Sequence, residues 1–428
     1  MQELVAVFGL ILIFGVAMWR NINMGAVALV VAFVLGIAYY GQSASEIASG
    51  FPGGLLITLL GVTYLFGMAR ANGTVDRIVS GAVGAVRGRV ALVPWVFFVL
   101  AAIITGSGAL SAATNAILIP VGLAFANRYR INPLLIGLSI INGTNAGGFS
   151  PIAVYFSIVD GVLDKIGVSI DAGQLFLWTF IANLLINAVA FFLLGGRELM
   201  RRARETDAYR DTLDDLSGGS GSTAMAVETK AKTWALPQVV TVLLMVGVLV
   251  GGLGFKLDVG FLALGAAVIL SALYPQDSKE GVSHIGWGVI LLIGGIVTYI
   301  SMLDTAGVID GLANSVAGIG TPLLAGLLML VVAGVVSAFA STNAMFVVLV
   351  PLAAPLLVSG ALEPMGFIIA LCIAASAVDS SPFSTGGALV VANTEEDLRD
   401  KTFKGMMLWG MLMILAAPLL AWFFFVVL

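Results

Sequence analysis

Long apolar segments separated by short polar stretches recur from one end of the chain to the other. A transmembrane helix needs about 20 mainly apolar residues, so this pattern predicts an all-α polytopic membrane protein. Ten segments are interpreted as candidate spans: residues 4–19, 24–40, 53–68, 134–158, 175–194, 239–253, 260–274, 287–303, 366–391 and 406–427.

Two further apolar blocks, residues 90–127 and 321–358, are too long for one helix. Small polar residues interrupt each block near its middle, with a Thr-Asn-Ala sequence at residues 114–116 and again at 342–344. We therefore expect each block to be a re-entrant hairpin that returns to the side from which it entered. The predicted layout is ten transmembrane helices plus two re-entrant hairpins.

The distribution of basic residues tests this layout. With the N-terminus outside and both blocks treated as hairpins, 18 of the 20 Lys and Arg residues fall inside, and only Lys165 and Lys256 lie outside. Basic residues concentrate in the cytoplasmic loops of membrane proteins. The asymmetry therefore predicts that both termini lie outside and that the protein resides in the inner (plasma) membrane.

Composition excludes several classes of protein. Charged residues make up only 10% of the chain and hydrophobic residues 60%, which excludes an ordinary cytosolic enzyme, a nucleic-acid-binding protein and a disordered chain. The single Cys and the single His argue against a Cys- or His-based metal site. Because no nucleophile–base pair is visible, we expect neither an enzyme nor a bound organic cofactor.

The two halves of the chain resemble each other. In each half a span is followed by an amphipathic stretch, an interrupted block and a span broken by Gly, Ser and Pro, at residues 142–151 or 379–387. Because the two hairpins enter from opposite sides, the repeats are inverted. We expect repeats over residues 1–196 and 235–428, joined by a flexible cytoplasmic linker over 197–234. Inverted repeats with matching breaks are typical of secondary transporters, whose binding site lies at the repeat interface.

The breaks create helix N-termini at membrane depth. Ser-Pro sequences at residues 150–151 and 381–382 each place an N-cap residue before a proline, and the second hairpin arms are expected to begin near Thr114 and Thr342. Four converging N-termini would offer partial positive charge and free N–H groups to an anion. The predicted anion contacts are the hydroxyls and amides of Thr114, Asn115, Thr342, Asn343, Ser381 and Thr385.

Free carbonyls at the opposite half-helix ends suit a hard cation such as Na⁺. Around these ends we expect ligands at Gly108, Gly147 and Gly148, with Asn145 and Asp379 at the two breaks. Asp379 is the one carboxylate that the layout places well inside a span, where an ion is costly. It either caps a half-helix, coordinates a cation or carries a proton.

The hairpin tips, with the Gly-rich and Ser-Pro breaks behind them, resemble those of the divalent anion:sodium symporters of the ion transporter superfamily. Within that group the chain is most similar to the bacterial malonate-type dicarboxylate carriers. The resemblance covers residues 53–159 and 287–391. It implies a homodimeric elevator transporter, in which a transport domain carries the hairpins and broken helices across the membrane against a dimeric scaffold.

In that family each tip carries a Ser-Asn-Thr motif. Asn115 and Asn343 match its Asn, Thr114 and Thr342 occupy the Ser position, and the third residue is alanine in both tips. Two substrate hydroxyl contacts are therefore missing, so the family's usual succinate or citrate preference does not carry over directly. With the resemblance, the predicted substrate contacts also include Pro382, and the predicted cation ligands also include Thr114, Asn115, Asn343 and Ser380.

Three functions fit these observations. The first is symport of a small dicarboxylate, such as malonate or succinate, coupled to a cation that is Na⁺ or H⁺. The second is cation/proton antiport in which Asp379 exchanges the ions. The third is the membrane subunit of a carboxylate transporter fed by a binding protein. We expect the first, with a dicarboxylate, a coupling cation, the lipid bilayer and a second copy of the chain as partners, and no nucleic acid.

Overall fold

The computed structural model describes residues 2–20, 22–85, 90–202, 234–255, 257–308, 321–338 and 342–428, and within these ranges every regular element is a helix. The first half forms α1 (Gln2–Arg20), α2 (Met24–Ala38), α3 (Ala44–Ser49), α4 (Gly53–Ala71), α5 (Thr74–Ala85), α6 (Val93–Gly106), α7 (Ser111–Arg128), α8 (Pro133–Gly148), α9 (Val154–Lys165) and α10 (Ala172–Leu193). The second half forms α11 (Leu236–Phe255), α12 (Val259–Leu273), α13 (Pro275–Ser283), α14 (Trp287–Thr305), α15 (Pro322–Ser337), α16 (Thr342–Val358), α17 (Pro364–Ala377), α18 (Thr385–Asn393) and α19 (Glu396–Trp422).

Several of these helices are apolar enough for a membrane. Within the described residues, four helical segments are long enough to cross one: Ala172–Leu193, Trp287–Thr305, Pro364–Asn393 and Glu396–Val427. Eight shorter apolar helices have 10–17 residues each. Many large apolar side chains on the helix surfaces are exposed rather than buried, as expected where helices face lipid. The chain is therefore a polytopic membrane protein.

The predicted interruptions lie where the helices break. Each interrupted block forms two consecutive helices, α6 and α7 in the first half and α15 and α16 in the second. The α6–α7 turn contains Gly108 at φ +103°, a left-handed backbone conformation that favours glycine. The spans predicted over residues 134–158 and 366–391 are likewise divided, into α8 and α9 and into α17 and α18.

The two broken helices begin in the same way. The Asn132 side chain accepts a hydrogen bond from the backbone N–H of Leu134 at 3.0 Å, and proline follows it at the first position of α8. The Glu363 side chain accepts from the N–H of Met365 at 3.0 Å, and proline again follows at the first position of α17. A side-chain cap followed by proline is a strong helix-start signal, so local sequence fixes where both helices start.

Packing around the breaks links the two halves of the chain. The first hairpin arm packs on the first part of the broken helix in its own half, α6 on α8 and α15 on α17. The second arm packs on the last part of the broken helix in the other half, α7 on α18 and α16 on α9. Away from the breaks, α2 packs on α14 and α4 on α12. Each hairpin tip therefore lies between elements of both halves.

Parts of the predicted organisation fall outside the described residues. The amphipathic stretch at residues 75–86 corresponds to α5, whereas its counterpart after Asp310 is not among the described residues, and neither are residues 203–233 of the predicted linker. The start of that linker differs from the prediction, because residues 196–202 are helical. Glu198 pairs there with Arg201 and Arg202 one turn later, and these hydrogen bonds lower the pKa of Glu198 to about 2. Such pairs support a helix.

Candidate functional site

Both hairpin tips are closed by the same kind of contact. The Thr105 hydroxyl, at the end of α6, donates to the Thr114 hydroxyl at 3.1 Å. In the second hairpin, the hydroxyls of Ser337 and Thr342 are also 3.1 Å apart. The two tip threonines are buried, at 0% and 3% exposure. The predicted Thr pair is therefore engaged in tying the two arms of each hairpin together.

The tip asparagines leave an acceptor free in both halves. The Asn115 Oδ1 and the Asn343 Oδ1 are buried and have no hydrogen-bond partner among the described residues. The Asn115 side chain lies against the first turn of α18, where its Nδ2 would be 2.9 Å from a Cβ placed on Gly386. An unpaired buried carbonyl oxygen is costly unless a ligand or water completes it. Two such oxygens, one at each tip, are the ligands a small cation would use.

The Ser-Pro breaks do not have the predicted capping geometry. α9 begins at Val154 and α18 at Thr385, so Ser150 and Ser381 are not N-caps, and the prolines are not first helical residues. Ser384 caps α18 instead, accepting from the N–H of Gly387 at 3.0 Å. The prediction was wrong because the hydroxyls of Ser150 and Ser381 have partners elsewhere in the fold.

Those partners are the hairpins. The Ser150 hydroxyl donates to the Gly106 carbonyl at 2.6 Å, at the end of α6. The Ser381 hydroxyl donates to the Ala338 carbonyl at 2.6 Å, just after α15. Each serine thus fastens the break of its own half to the first arm of the neighbouring hairpin. Ser381, predicted as a substrate contact, has its proton committed to this bond.

Removing either serine hydroxyl is expected to destabilise the fold. In Ser150→Ala and Ser381→Ala a buried carbonyl loses its donor, which costs about 1–3 kcal/mol, so the melting temperature in detergent should fall. Ser157→Ala is the matched control. Its buried hydroxyl donates to the Ala153 carbonyl within its own helix, and that carbonyl keeps the Ser157 N–H as a donor at 3.0 Å. Equal losses in all three variants would contradict the proposed fastening role.

Asp379 is held by hydroxyls from two other elements. The Tyr155 hydroxyl, in the first turn of α9, donates to the Asp379 Oδ2 at 3.1 Å. Thr342, at the start of α16, lies beside this carboxylate, and Ser111, at the start of α7, lies beside Tyr155. The beginnings of α7, α9 and α16 therefore meet beside the second break. The hydrogen-bond donor to the carboxylate among the described residues is a neutral hydroxyl, which leaves its charge available to a cation.

Tyr155 was missed by the sequence analysis. Its ring packs with Phe149 and Phe346, with centroids 5.4 Å from each, and this cluster joins α9 to α16. One signal was available: Tyr155 follows Pro151 by four residues, whereas Gly386 follows Pro382 by four. The two breaks are thus unlike, with a phenol at one and, at the other, a glycine whose backbone packs closely against Asn115 and Ile141.

The remaining predicted site residues differ in burial and in hydrogen bonding. Asn145 joins the two breaks, because its Nδ2 donates to the Ser376 carbonyl at 2.8 Å while its Oδ1 is buried without a partner among the described residues. The Ser380 hydroxyl donates to the Ala377 carbonyl at 2.8 Å within its own turn. Pro382 is buried, and Thr385 is exposed at the start of α18.

The glycines that were predicted as ligands also have a structural role. A Cβ on Gly147 would collide with the Ala102 carbonyl and lie 2.8 Å from the Gly106 nitrogen, and one on Gly148 would lie 2.6 Å from the Tyr155 ring. These glycines let α6 and Tyr155 approach the break closely. The Gly147 carbonyl already accepts the N–H groups of Phe149 and, at 3.0 Å, Ser150, which argues against its use as a cation ligand.

A cavity of about 560 Å³ lies beside the first break. Pro151 is part of its wall, together with residues of α9, the start of α4 and the segment before α12. Its charged lining residues are Asp160, Asp164, Lys165 and Asp258. This excess of carboxylates raises the local concentration of cations next to the break.

Comparison with known families agrees with the site. Residues 1–148 match the family described as the dicarboxylate carrier protein MatC N-terminus. Residues 253–428 match the citrate transporter family CitMHS. Each match covers less than half of the chain, and both are to families of carboxylate carriers. No curated protein matches the chain.

The two matches confirm the resemblance to divalent anion:sodium symporter-type dicarboxylate carriers. They also confirm that the protein is a carrier and not an enzyme. The first match includes the first hairpin but ends at Gly148, at the first break, whereas the second match includes the whole second hairpin and its broken helix. Both matched families are described as carriers of carboxylates.

Proposed function

We propose that the protein is a cation-coupled symporter of a small dicarboxylate such as malonate or succinate, with Na⁺ as the coupling ion. The observation that carries this proposal is the pair of buried, unpaired amide oxygens of Asn115 and Asn343, one at each hairpin tip. Neutral oxygens at two matching positions suit Na⁺, which prefers oxygen ligands. Asp379 supplies a charged ligand close to the second tip.

The dicarboxylate is held without a basic side chain. The first turns of α7, α9 and α16 approach one another through Ser111, Tyr155 and Thr342, and the first turn of α18 lies against Asn115. Helix N-termini bind anions through free N–H groups and the helix dipole. Bound cations would offset the remaining negative charge, which makes binding of the cation and the anion mutually dependent.

Transport proceeds by an elevator movement in a homodimer. In this proposal, ten spans and two hairpins form two inverted repeats, and both termini lie outside the inner membrane. The paired packing of the hairpin arms on the broken helices supports such a repeat, because the same two kinds of contact recur in both halves. The hairpins and broken helices move together as the transport domain, while the α2–α14 and α4–α12 pairs belong to the scaffold.

Uptake into liposomes tests the proposal directly. Purified protein is reconstituted, and labelled malonate, succinate or citrate is supplied outside with an inward Na⁺ gradient, an inward K⁺ gradient or an inward proton gradient. Malonate or succinate uptake should accelerate with the Na⁺ gradient over the K⁺ control and over protein-free liposomes. If no dicarboxylate enters under any gradient, the symport proposal is wrong. Uptake by the chain alone also excludes dependence on a separate binding protein.

A second function, cation/proton antiport, is favoured by one observation. The hydrogen-bond donor to Asp379 among the described residues is the neutral hydroxyl of Tyr155, so this carboxylate could exchange a proton for a cation. Antiport predicts that an inward Na⁺ gradient drives protons out of liposomes when no organic anion is present. A pH-sensitive dye inside the liposomes distinguishes the two functions, because symport of the dicarboxylate requires the anion.

A further inference from the structure

A seam of polar side chains runs between α8 and α10, away from the hairpin tips. It consists of Ser139 and Asn142 on α8 and Asn183 and Asn187 on α10. All four residues are at most 1% exposed. None of them has a part in the proposed transport chemistry, and amide side chains are uncommon in fully buried positions.

Helix geometry places the four side chains along one contact. Ala146 of α8 lies in an apolar cluster with Phe98 and Ala102 of α6, and Phe180 and Leu184 of α10 pack against this cluster. Ser139 and Asn142 precede Ala146 by seven and four residues and share its face, because residues separated by three, four or seven positions lie on one side of a helix.

The same spacing holds on α10. Asn183 and Asn187 follow Phe180 by three and seven residues and therefore share the face that packs on α8. The two helices run antiparallel, since Asn132 at the start of α8 donates to the Leu194 carbonyl at the end of α10. Because the helices are antiparallel, the turn of α8 that precedes Ala146 lies beside the turn of α10 that follows Leu184. Asn142 is therefore at about the same height along the contact as Asn187.

The seam contains both donors and acceptors without partners. Six atoms have no hydrogen-bond partner among the described residues: Ser139 Oγ, Asn142 Nδ2, Asn142 Oδ1, Asn183 Oδ1, Asn187 Nδ2 and Asn187 Oδ1. Both amide atoms are unpaired in Asn142 and in Asn187. The set of unpaired donors and acceptors is therefore the same whichever way each amide group is oriented. A cation would satisfy the oxygens and leave the Nδ2 donors unpaired, whereas water both donates and accepts.

We propose that this seam is a binding site for ordered water. A buried water typically makes about three hydrogen bonds, so six unpaired atoms call for about two molecules. The waters bridge α8 to α10 through hydrogen bonds that neither helix makes directly, and they join the two helices at membrane depth. The site is independent of substrate and coupling ion.

Radiolytic hydroxyl-radical footprinting tests the site, because water bound next to a buried side chain generates radicals where bulk water does not reach. Leu138 lies one turn from Asn142, and Leu118 on α7 is its matched control, since both leucines are 0% exposed. In the wild-type protein in nanodiscs, Leu138 should be labelled and Leu118 should not. Labelling of Leu138 should disappear in Asn142→Leu/Asn187→Leu.

Thermal unfolding gives a second measurement that needs no transport. Asn142→Leu and Asn187→Leu should each lower the melting temperature, because each leaves the neighbouring asparagine and the bound water without a hydrogen-bond partner. The double variant should recover part of this loss. Equal labelling of Leu138 and Leu118 in the wild-type protein overturns the proposal. A Na⁺-dependent rise in melting temperature also overturns the proposal if it occurs in Asn115→Ala and is absent in Asn115→Ala/Asn187→Leu. That result would indicate a cation in the seam.

Discussion

Alanine in place of Asn343 is expected to raise the Na⁺ concentration for half-maximal dicarboxylate uptake by about 10- to 150-fold, and Asn115→Ala should do the same. Each substitution removes a buried amide oxygen with no partner among the described residues. A hydrogen-bond-like contact with a charged group is worth about 1.5–3 kcal/mol, and each 1.4 kcal/mol is about tenfold in affinity. Uptake at graded Na⁺ in liposomes measures the shift.

The fold should survive these substitutions. Because the amide oxygens are unpaired, truncation removes a desolvation cost and breaks no bond of that oxygen, so the melting temperature without Na⁺ should not fall. Asn393→Ala is the control, since this exposed residue also lies on a broken helix and bonds only the Leu389 carbonyl through its Nδ2. If Asn115→Ala and Asn343→Ala transport with the wild-type Na⁺ dependence, the tip amides are structural.

Sequence patterns predicted where the helices of this protein break. The apolar runs were too long for one helix, and clusters of glycine, serine and proline at their centres disfavour its continuation. The structure divides the chain at these positions, and even the starts of α8 and α17 follow from a cap and a proline in the local sequence. Local rules were sufficient because helix termini depend on a few neighbouring residues.

Long-range contacts were beyond the reach of the same rules. Ser150 and Ser381 fitted the local pattern of an N-cap, yet each hydroxyl is used by a carbonyl more than 40 residues away. Tyr155 was overlooked because its role depends on Asp379, which is 224 residues distant. A capping preference is worth about 1 kcal/mol, so a tertiary hydrogen bond of similar strength can override it.

The two breaks differ in the side chains they offer to a coupling cation. Counted from the Ser-Pro sequence, Gly148 is the counterpart of Asp379, and Gly386 is the counterpart of Tyr155. The second break therefore carries the Asp379 carboxylate and, at Gly386, backbone next to Asn115, while the first break carries the Tyr155 phenol that donates to Asp379. A charged cation ligand is available at only one of the two tips, so we expect the two cation positions to differ in affinity.

Asp379→Asn is expected to abolish cation-driven uptake, with a loss of at least about 100-fold, while the protein keeps its fold. The asparagine side chain can still accept the hydrogen bond from Tyr155, so only the charge is removed. A charge that neutralises a cation in a low-dielectric site contributes several kcal/mol, and about 2.7 kcal/mol corresponds to that loss. Gel filtration and the melting temperature check the fold.

Tyr155→Phe tests how far cation binding depends on the position of the Asp379 carboxylate, because this variant leaves the charge of Asp379 in place. This variant keeps the ring that packs on Phe149 and Phe346 but removes the hydroxyl 3.1 Å from the carboxylate. Loss of one hydrogen bond to a charged group costs about 1.5 kcal/mol or more, so we expect roughly a tenfold lower cation affinity with transport retained. If Asp379→Asn still transports with normal cation dependence, the carboxylate merely caps the break, and the coupling charge must come from the substrate and the tip amides alone.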